Sequence, residues 1–159
     1  MQIRIVAVGR AREGYIREGM REYCARIAPY HRIELIDVQE EKVPPRLGER
    51  ERESLLAREG ERILNAAGGT GILVACAVDG AQWSSEEFAS RLKSWEISGQ
   101  PRVTFAIGGP LGLAPSVLSG ANERLSLSRM TFPHELVRLV LLEQIYRACR
   151  INSGEAYHR

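Results

Sequence analysis

Short apolar runs alternate with longer segments of helical periodicity, and this alternation constrains the possible folds more than any other feature of the sequence. The apolar runs predict five strands, which cover residues 3–8, 32–38, 72–78, 103–107 and 124–128. The segments between and after them predict helices at about 13–27, within 40–64, from Ser84 or Ser85 and at 133–151, and a short segment of unassigned structure starts at Pro115. Strands that alternate with helices build parallel sheets. The sequence therefore predicts an α/β fold, with a mainly parallel sheet and helices on both faces.

The segment 40–62 is densely charged, but its basic and acidic residues almost cancel. It could contact nucleic acid, yet Glu/Arg pairs three and four residues apart favour a solvated helix face. The buried side of that helix is assigned to Leu55, Leu56, Ile63 and Leu64, and its end to the glycines at 68, 69 and 71. The following run at 72–78 is apolar throughout, which predicts a strand covered on both faces.

The predicted helix at 135–151 is apolar around nearly its whole circumference. The residues concerned are Leu136, Val137, Leu139, Val140, Leu141, Leu142 and Ile145. A helix of this kind needs partners on several sides. Burial inside one chain is conceivable, but in a chain of 159 residues the pattern favours a dimer interface.

Length, charge and cysteine usage exclude several classes of protein. A chain of 159 residues with a net charge of +2 has the size of one domain, 1–159, and any nucleic-acid contact must come from local patches. Its three cysteines form no CxxC pair, so neither a disulfide framework nor a metal site is expected. The N-terminus reads as a strand, and no run approaches the roughly 20 apolar residues that span a bilayer. These features predict a cytoplasmic protein without a membrane partner.

Two loops could form a binding site at one edge of the predicted sheet. Gly108, Gly109 and Gly112 follow a predicted strand, where they either let a ligand approach the backbone or only form a tight turn. Residues 127–135 join the last strand to the last helix, and His134 there is either a first-turn packing residue or part of a site. If the two strands are neighbours, both loops lie at the carboxyl edge, where open α/β sheets bind ligands.

The C-terminal segment 152–159 ends in Tyr157, His158 and Arg159. Their side chains can stack on a base, accept a proton and bind phosphate, respectively. When extended, eight residues reach at most about 26–29 Å, which is enough to enter a partner subunit.

Four motifs span almost the whole chain in a fixed order. They are IRIVAVGR at 3–10, FAIGGPLGL at 105–113, LSLSRMTFPHELVR at 125–138 and LLEQIYRACRINSGEAYHR at 141–159. With these motifs the chain resembles the bacterial large-subunit ribosomal RNA pseudouridine methyltransferases (RlmH), a family of the SPOUT class. The resemblance implies methyl transfer from S-adenosylmethionine to N3 of a pseudouridine in a stem-loop of 23S rRNA, on assembled ribosomes. It also implies a homodimer with a C-terminal trefoil knot, here at about 103–151.

The same resemblance implies which residues bind the methyl donor. They are Cys76, Gly108, Gly109, Gly112, Leu127, Ser128, Arg129, Met130, Thr131 and Phe132. The sequence departs from the family at one point, because Ala75-Cys76-Ala77 replaces a Thr-Leu-acidic triplet. A backbone contact to adenine survives this change, whereas a carboxylate role at Ala77 does not. Cys76 is interpreted as a small apolar wall residue and not as a nucleophile.

The N3 atom of pseudouridine carries a proton at neutral pH, so transfer to it needs a base or a strongly stabilising environment. His134 or His158 is the hypothesised base. Arg138 and Arg159 would orient that base or neutralise nearby phosphates, and Tyr157 would position the nucleobase. Arg129 is a weaker candidate for a phosphate contact, because it falls in the predicted donor loop.

Residues 1–32 contain seven arginines and three glutamates, a local net charge of +4. This is either an RNA-facing patch or an arginine-rich helix surface, and the resemblance favours the patch. Two other functions stay open. One is a methyltransferase of the same class that acts on tRNA or on a uridine at another position, and the other is a non-catalytic RNA-binding protein of ribosome assembly.

Overall fold

The fold is built on five parallel strands, which the computed structural model places in the order β2-β1-β4-β3-β5; it describes residues 1–156. The strands are β1 (Gln2–Val8), β2 (Arg32–Val38), β3 (Ile72–Ala81), β4 (Arg102–Ile107) and β5 (Glu123–Leu125). Ala7 of β1 lies opposite Asp37 of β2 and Ile107 of β4, so the carboxyl ends of these strands reach one edge. The predicted parallel sheet is confirmed.

Five helices cover the two faces of this sheet. They are α1 (Gly14–Ile27), α2 (Glu49–Ala67), α3 (Ser85–Ile97), α4 (Pro115–Gly120) and α5 (His134–Asn152). The alternation of side chains along β1 explains the two layers. Ile3 and Ile5 pack with α1, α3 and α5, whereas Val6 and Val8 pack with α2 and α4. Helices on both faces are therefore confirmed, and Ser84 caps α3 through a reciprocal pair of bonds with Glu87.

Two element boundaries and the burial of one strand differ from the predictions, each for a local reason. The charged helix begins only at Glu49, after a loop that contains two consecutive prolines, although its charged face is exposed as expected. Strand β5 ends at Leu125 and not at residue 128, because the chain turns out of the sheet at Ser126. The end of β3 is not covered on both faces, since Val78 is 78% exposed.

The last helix divides its apolar surface between the core and the outside. Leu141, Leu142 and Ile145 are fully buried against α1, α3 and the sheet. Leu136, Val137, Leu139 and Val140 stay half-buried in the single chain. Within residues 1–156, no helix is both long and apolar enough to cross a membrane.

Glu59 is a buried carboxylic acid on α2 whose ionisation should govern part of the pH dependence of stability. Its side chain is 3% exposed and accepts a hydrogen bond from the Glu41 backbone N–H at 2.9 Å. Desolvation raises its pKa, and the hydrogen bond from the Glu41 N–H partly opposes that shift; the charges of Glu40 and Glu41 raise the pKa further, and that of Arg62 lowers it. The folded state therefore binds more protons than the unfolded state, and stability should fall as the pH rises through the raised pKa.

Glu59→Gln should abolish this loss, because the amide stays neutral at every pH and keeps an acceptor for the Glu41 N–H. We expect a melting temperature a few degrees above that of the wild type at pH 8, with the difference vanishing near pH 4. Glu61→Gln, an exposed neighbour on the same helix, is the matched control and should change little. Thermal unfolding over that pH range measures both; an equal response of the two variants would contradict the assignment.

Candidate functional site

A cleft of about 420 Å³ opens at the carboxyl ends of β3 and β5, against the first turns of α5. Its lining residues are Cys76, Ala77, Val78, Leu125, Ser126, Leu127, Ser128, Met130, Thr131, Phe132 and Val137. The lining is mostly apolar, with a few hydroxyl groups. This composition is typical of pockets that bind a small organic molecule.

One wall of the cleft is the loop that follows β5, and two serines fix its path. The Ser126 hydroxyl donates to the Ser128 carbonyl at 3.0 Å, and the Ser128 hydroxyl accepts from the Met130 backbone N–H at 2.9 Å. Ser126 is buried, whereas the Met130 side chain is 75% exposed at the mouth of the cleft. The loop is therefore organised by its own hydrogen bonds, which lowers the entropy cost of binding a ligand.

The opposite wall is a bulge in β3. Cys76 and Ala81 both pair with Leu125, so residues 77–80 project from the regular ladder. A Cβ atom on Gly80 would lie 2.7 Å from the carbonyl carbon of Leu125, which makes glycine necessary at this position. A glycine inside a strand pattern is a signal for a bulge, and it could have pointed to this wall from the sequence.

The thiol of Cys76 lies in this wall, and desolvation raises its pKa to about 12. A thiol with so high a pKa stays protonated at neutral pH and is a poor nucleophile. The chemistry of the residue therefore supports its interpretation as a wall of the cleft.

The glycine turn lies beside the cleft but does not line it. It follows β4, whose Ile107 is paired with Cys76 of β3. A Cβ atom on Gly108 would approach the backbone of Gly112 to 2.5 Å, and Gly112 has a φ of 83°. The glycines at 108 and 112 are thus needed for the turn itself. A role in ligand binding is compatible with that requirement, and Gly109 adds a backbone bridge to Gly112.

The first turn of α5 and the loop before it each hold one of the remaining predicted site residues. His134 is the first residue of the helix, and it is half-buried. In the sequence it stands between Phe132 and Val137, which both line the cleft, but His134 itself does not line it. Pro133 is the N-cap and not the first helical residue. Arg129 projects from the loop as an exposed side chain and is also outside the lining.

Arg138 lies in the interior and not on the cleft surface. Its side chain is 1% exposed and donates to the Asp37 carboxylate at 2.7 Å. It also donates to the backbone carbonyls of Val8 and Gly9, at 2.8 and 2.9 Å. A direct contact with phosphate would require it to leave all three partners. Its position instead ties the start of α5 to the carboxyl ends of β1 and β2.

The predicted catalytic residues Tyr157, His158 and Arg159 lie outside the described residues. The segment that leads to them is held at the far end of α5. Glu155 accepts from the Tyr30 hydroxyl at 2.8 Å and pairs with Arg150 at 2.7 Å. Tyr30 lies between the end of α1 and the start of β2, which is the amino edge of the sheet.

Several lining residues were missed from the sequence, namely Ala77, Val78, Leu125, Ser126 and Val137. All five flank predicted site residues along the chain. Among the residues that the structure describes, no group of three His, Cys, Asp or Glu side chains could hold a metal ion.

Comparison with protein families gives one match over nearly the whole chain. A family model described as "Predicted SPOUT methyltransferase" matches residues 1–158. The chain is also 48% identical over 160 residues to a protein of Heliobacterium modesticaldum named "Ribosomal RNA large subunit methyltransferase H", covering 100% of this chain and 99% of that relative. The protein of the same name from Syntrophomonas wolfei is 48% identical over 159 residues, and 100% of each chain is covered.

A solved structure gives independent support for the fold. It is the crystal structure of a tRNA (m1G37) methyltransferase from Aquifex aeolicus, which superposes with a TM-score of 0.53. The alignment covers 100% of this chain and 77% of that chain. Because the two sequences are only 14% identical, this likeness concerns the fold alone.

Proposed function

Because the chain belongs to the SPOUT methyltransferase family, we propose that it transfers a methyl group from S-adenosylmethionine to N3 of a pseudouridine in 23S rRNA. The observation that carries this proposal is the full-length similarity, at 48% identity, to proteins named as methyltransferases of large-subunit ribosomal RNA. The finer assignment to N3 of a pseudouridine, on assembled ribosomes, rests on the four motifs that the chain has in common with the RlmH family. Its proposed location is the cytoplasm.

The lining of the cleft suits the methyl donor in its chemistry. Apolar side chains such as Cys76, Leu127 and Phe132 can enclose an adenine ring, and backbone groups of residues 127–132 can bind its edge. Gly108 and its glycine neighbours would supply a second backbone contact from the adjacent strand. When bound, the donor supplies an electrophilic methyl group on a sulfonium centre. The protein then has to orient the acceptor nitrogen about 3–3.5 Å from that carbon.

The acceptor nitrogen must also lose its proton, and His134 or His158 is proposed to take it. The position of His134 at the start of α5, beside the cleft, supports the first candidate. We assign Arg138 a positioning role, because its buried contacts hold the turn of α5 that carries His134. Tyr157 and Arg159 are proposed to position the nucleobase and a nearby phosphate.

The geometry of α5 favours an active site completed by a second copy of the chain. The helix has 19 residues and is about 28 Å long, with the cleft at its start and the anchored Glu155 beyond its end. The four residues after Glu155 span at most about 14 Å, half the length of the helix, so residues 157–159 would not reach the cleft of their own chain. We therefore propose a homodimer in which each C-terminus completes the partner's cleft. The half-buried apolar residues of α5 are the proposed interface, and the trefoil knot is expected within 103–151.

Methyl transfer to isolated ribosomes tests the proposed function. Purified protein with tritiated S-adenosylmethionine should label ribosomes from a strain that lacks the enzyme, and nucleoside analysis should locate the label in a methylated pseudouridine. If tRNA is labelled and ribosomes are not, the substrate is tRNA and the assignment to rRNA is wrong. If calorimetry detects no donor binding at high concentration, that result would favour a non-catalytic ribosome-assembly protein over an enzyme.

Gly108→Ala should weaken donor binding at least tenfold, because its Cβ would meet the Gly112 backbone at 2.5 Å and displace the turn. Gly120→Ala is the matched control, since a Cβ there meets only Leu64 at 3.9 Å. Titration calorimetry with S-adenosylmethionine measures both variants, and circular dichroism checks their folding. Unchanged affinity for S-adenosylmethionine in a folded Gly108→Ala variant would show that the turn is not part of the donor site.

A further inference from the structure

An open groove lies at the carboxyl ends of β1 and β2, separate from the cleft. It has a volume of about 1150 Å³ and is formed by residues 9–12, residues 37–40 and Arg17 of α1. We refer to it as the arginine groove, because Arg10, Arg12 and Arg17 all line it with exposed side chains.

The backbone of the groove is held firmly from two sides. Gly9 has a φ of 79°, and its carbonyl accepts from the buried Arg138 at 2.9 Å. The carboxylate of Glu135, in the first turn of α5, accepts from the Arg12 backbone N–H. Arg17 donates to the Arg12 carbonyl at 2.5 Å. The turn that carries Arg10 and Arg12 is therefore fixed by contacts that leave the two guanidinium groups unused.

The charges in the groove favour an anionic ligand. Within residues 1–156, the guanidinium groups of Arg10 and Arg12 make no hydrogen bond or ion pair. Two carboxylates also line the groove, but that of Asp37 is paired with Arg138. This leaves the carboxylate of Glu40 as the opposing charge among the lining residues. Free, planar guanidinium groups on an ordered turn are suited to bidentate contacts with phosphate.

The arginine groove and the cleft lie on opposite sides of one helical turn. Phe132 and Val137 line the cleft, while Glu135 contacts the backbone of the groove. Residues 134–138 span only about 6 Å along the axis of α5. A polynucleotide with one base at the cleft could therefore pass over His134 and place neighbouring phosphates in the groove.

We propose that the arginine groove binds the phosphate backbone of the RNA strand that flanks the target nucleotide. Arg10 and Arg12 make the contacts, and Arg17 holds the turn in place. This inference rests on the proposed function for the identity of the RNA. It assigns substrate binding to a defined surface. The excess of arginines in residues 1–32 does not by itself identify such a surface. Contacts to phosphate position the strand, and they carry no sequence information themselves.

The test is the double variant Arg10→Ala/Arg12→Ala, measured for binding to ribosomes, to protein-free 23S rRNA and to S-adenosylmethionine. We expect RNA affinity to fall about tenfold or more, with the KM for ribosomes raised and donor affinity unchanged. The slope of log affinity against log salt concentration should decrease by about 1.4–1.8, the amount for two lost phosphate contacts. Arg10→Lys/Arg12→Lys should restore much of that slope, because the charge returns.

Arg50→Ala/Arg52→Ala is the matched control, since it removes the same charge from an exposed surface of α2. Equal losses in the two double variants would overturn the proposal in favour of a nonspecific charge effect. A loss with ribosomes but not with protein-free rRNA would also overturn it, because the partner would be a ribosomal protein. Failure of the proposed function itself is distinguishable: the wild type would then methylate no ribosomes, while the binding measurements would still decide whether the groove contacts RNA.

Discussion

Deletion of residues 157–159 is expected to reduce methyl transfer by about 10²–10⁴-fold, the range that a positioned general acid or base contributes. Donor binding should persist, because the described cleft is formed entirely by residues 76–137. The readout is single-turnover methylation of ribosomes, with S-adenosylmethionine affinity measured in parallel. A deletion variant that retains full activity would exclude Tyr157, His158 and Arg159 from the reaction.

A mixing experiment shows whether the C-terminus completes the cleft of its own chain or that of the partner chain. The deletion variant has an intact cleft, and Gly108→Ala has an intact C-terminus. After denaturation and joint refolding in equal amounts, half of the dimers should be mixed, and each should contain one complete site. Activity should then recover to about a quarter of the wild-type value if the C-terminus serves the partner. No recovery, with mixed dimers verified by differential tagging, would place the C-terminus in the site of its own chain.

Arg138→Met is expected to lower the free energy of unfolding by about 3 kcal/mol, the low end of the range for removing one partner of a buried ion pair. The low end applies because the Asp37 side chain is 46% exposed and can be hydrated once its partner is gone. The carbonyls of Val8 and Gly9 would lose charged donors as well. Urea unfolding followed by circular dichroism measures the loss.

Arg138→Lys helps to separate a structural role from a role in binding phosphate. A lysine keeps the charge but cannot reproduce the planar fork that reaches three acceptors, so much of the stability should stay lost. Arg147→Met, which removes an intrahelical pair with Glu143, is the comparison on the same helix and should cost well under half as much. An Arg138→Met variant that keeps its stability and has only a raised KM for ribosomes would show that Arg138 binds the RNA.

The sheet and its helices could be predicted because their signals are local. The alternation in 32–38 and the mostly apolar run at 103–107 each specify a strand within a few residues, and both are observed. Strand β5 was predicted too long because RLSLS alternates correctly to its end. The departure at Ser126 depends on a hydroxyl bond to Ser128 and on pairing with the distant Ala81, neither of which affects the periodicity.

The surroundings of individual site residues were harder to predict, since they depend on partners far apart in the chain. Arg138 stands in an apolar helix segment, and no sequence pattern connects it with Asp37, which lies 101 positions away. The groove joins a turn after β1 to the helix residue Glu135, 123 positions later. By contrast, the cleft-lining loop could be located, because residues 127–132 are consecutive and follow a strand.

Helix α5 carries the cleft at one end and leads, at the other, into the segment that Glu155 anchors. If the site is shared as proposed, a monomer contains both halves of an active site but is inactive, because the length of α5 separates them. Specific activity would then depend on dilution, rising with protein concentration until the dimer saturates. A newly synthesised chain would be inactive until it dimerised, so the cellular concentration of the protein would determine how much of it is active.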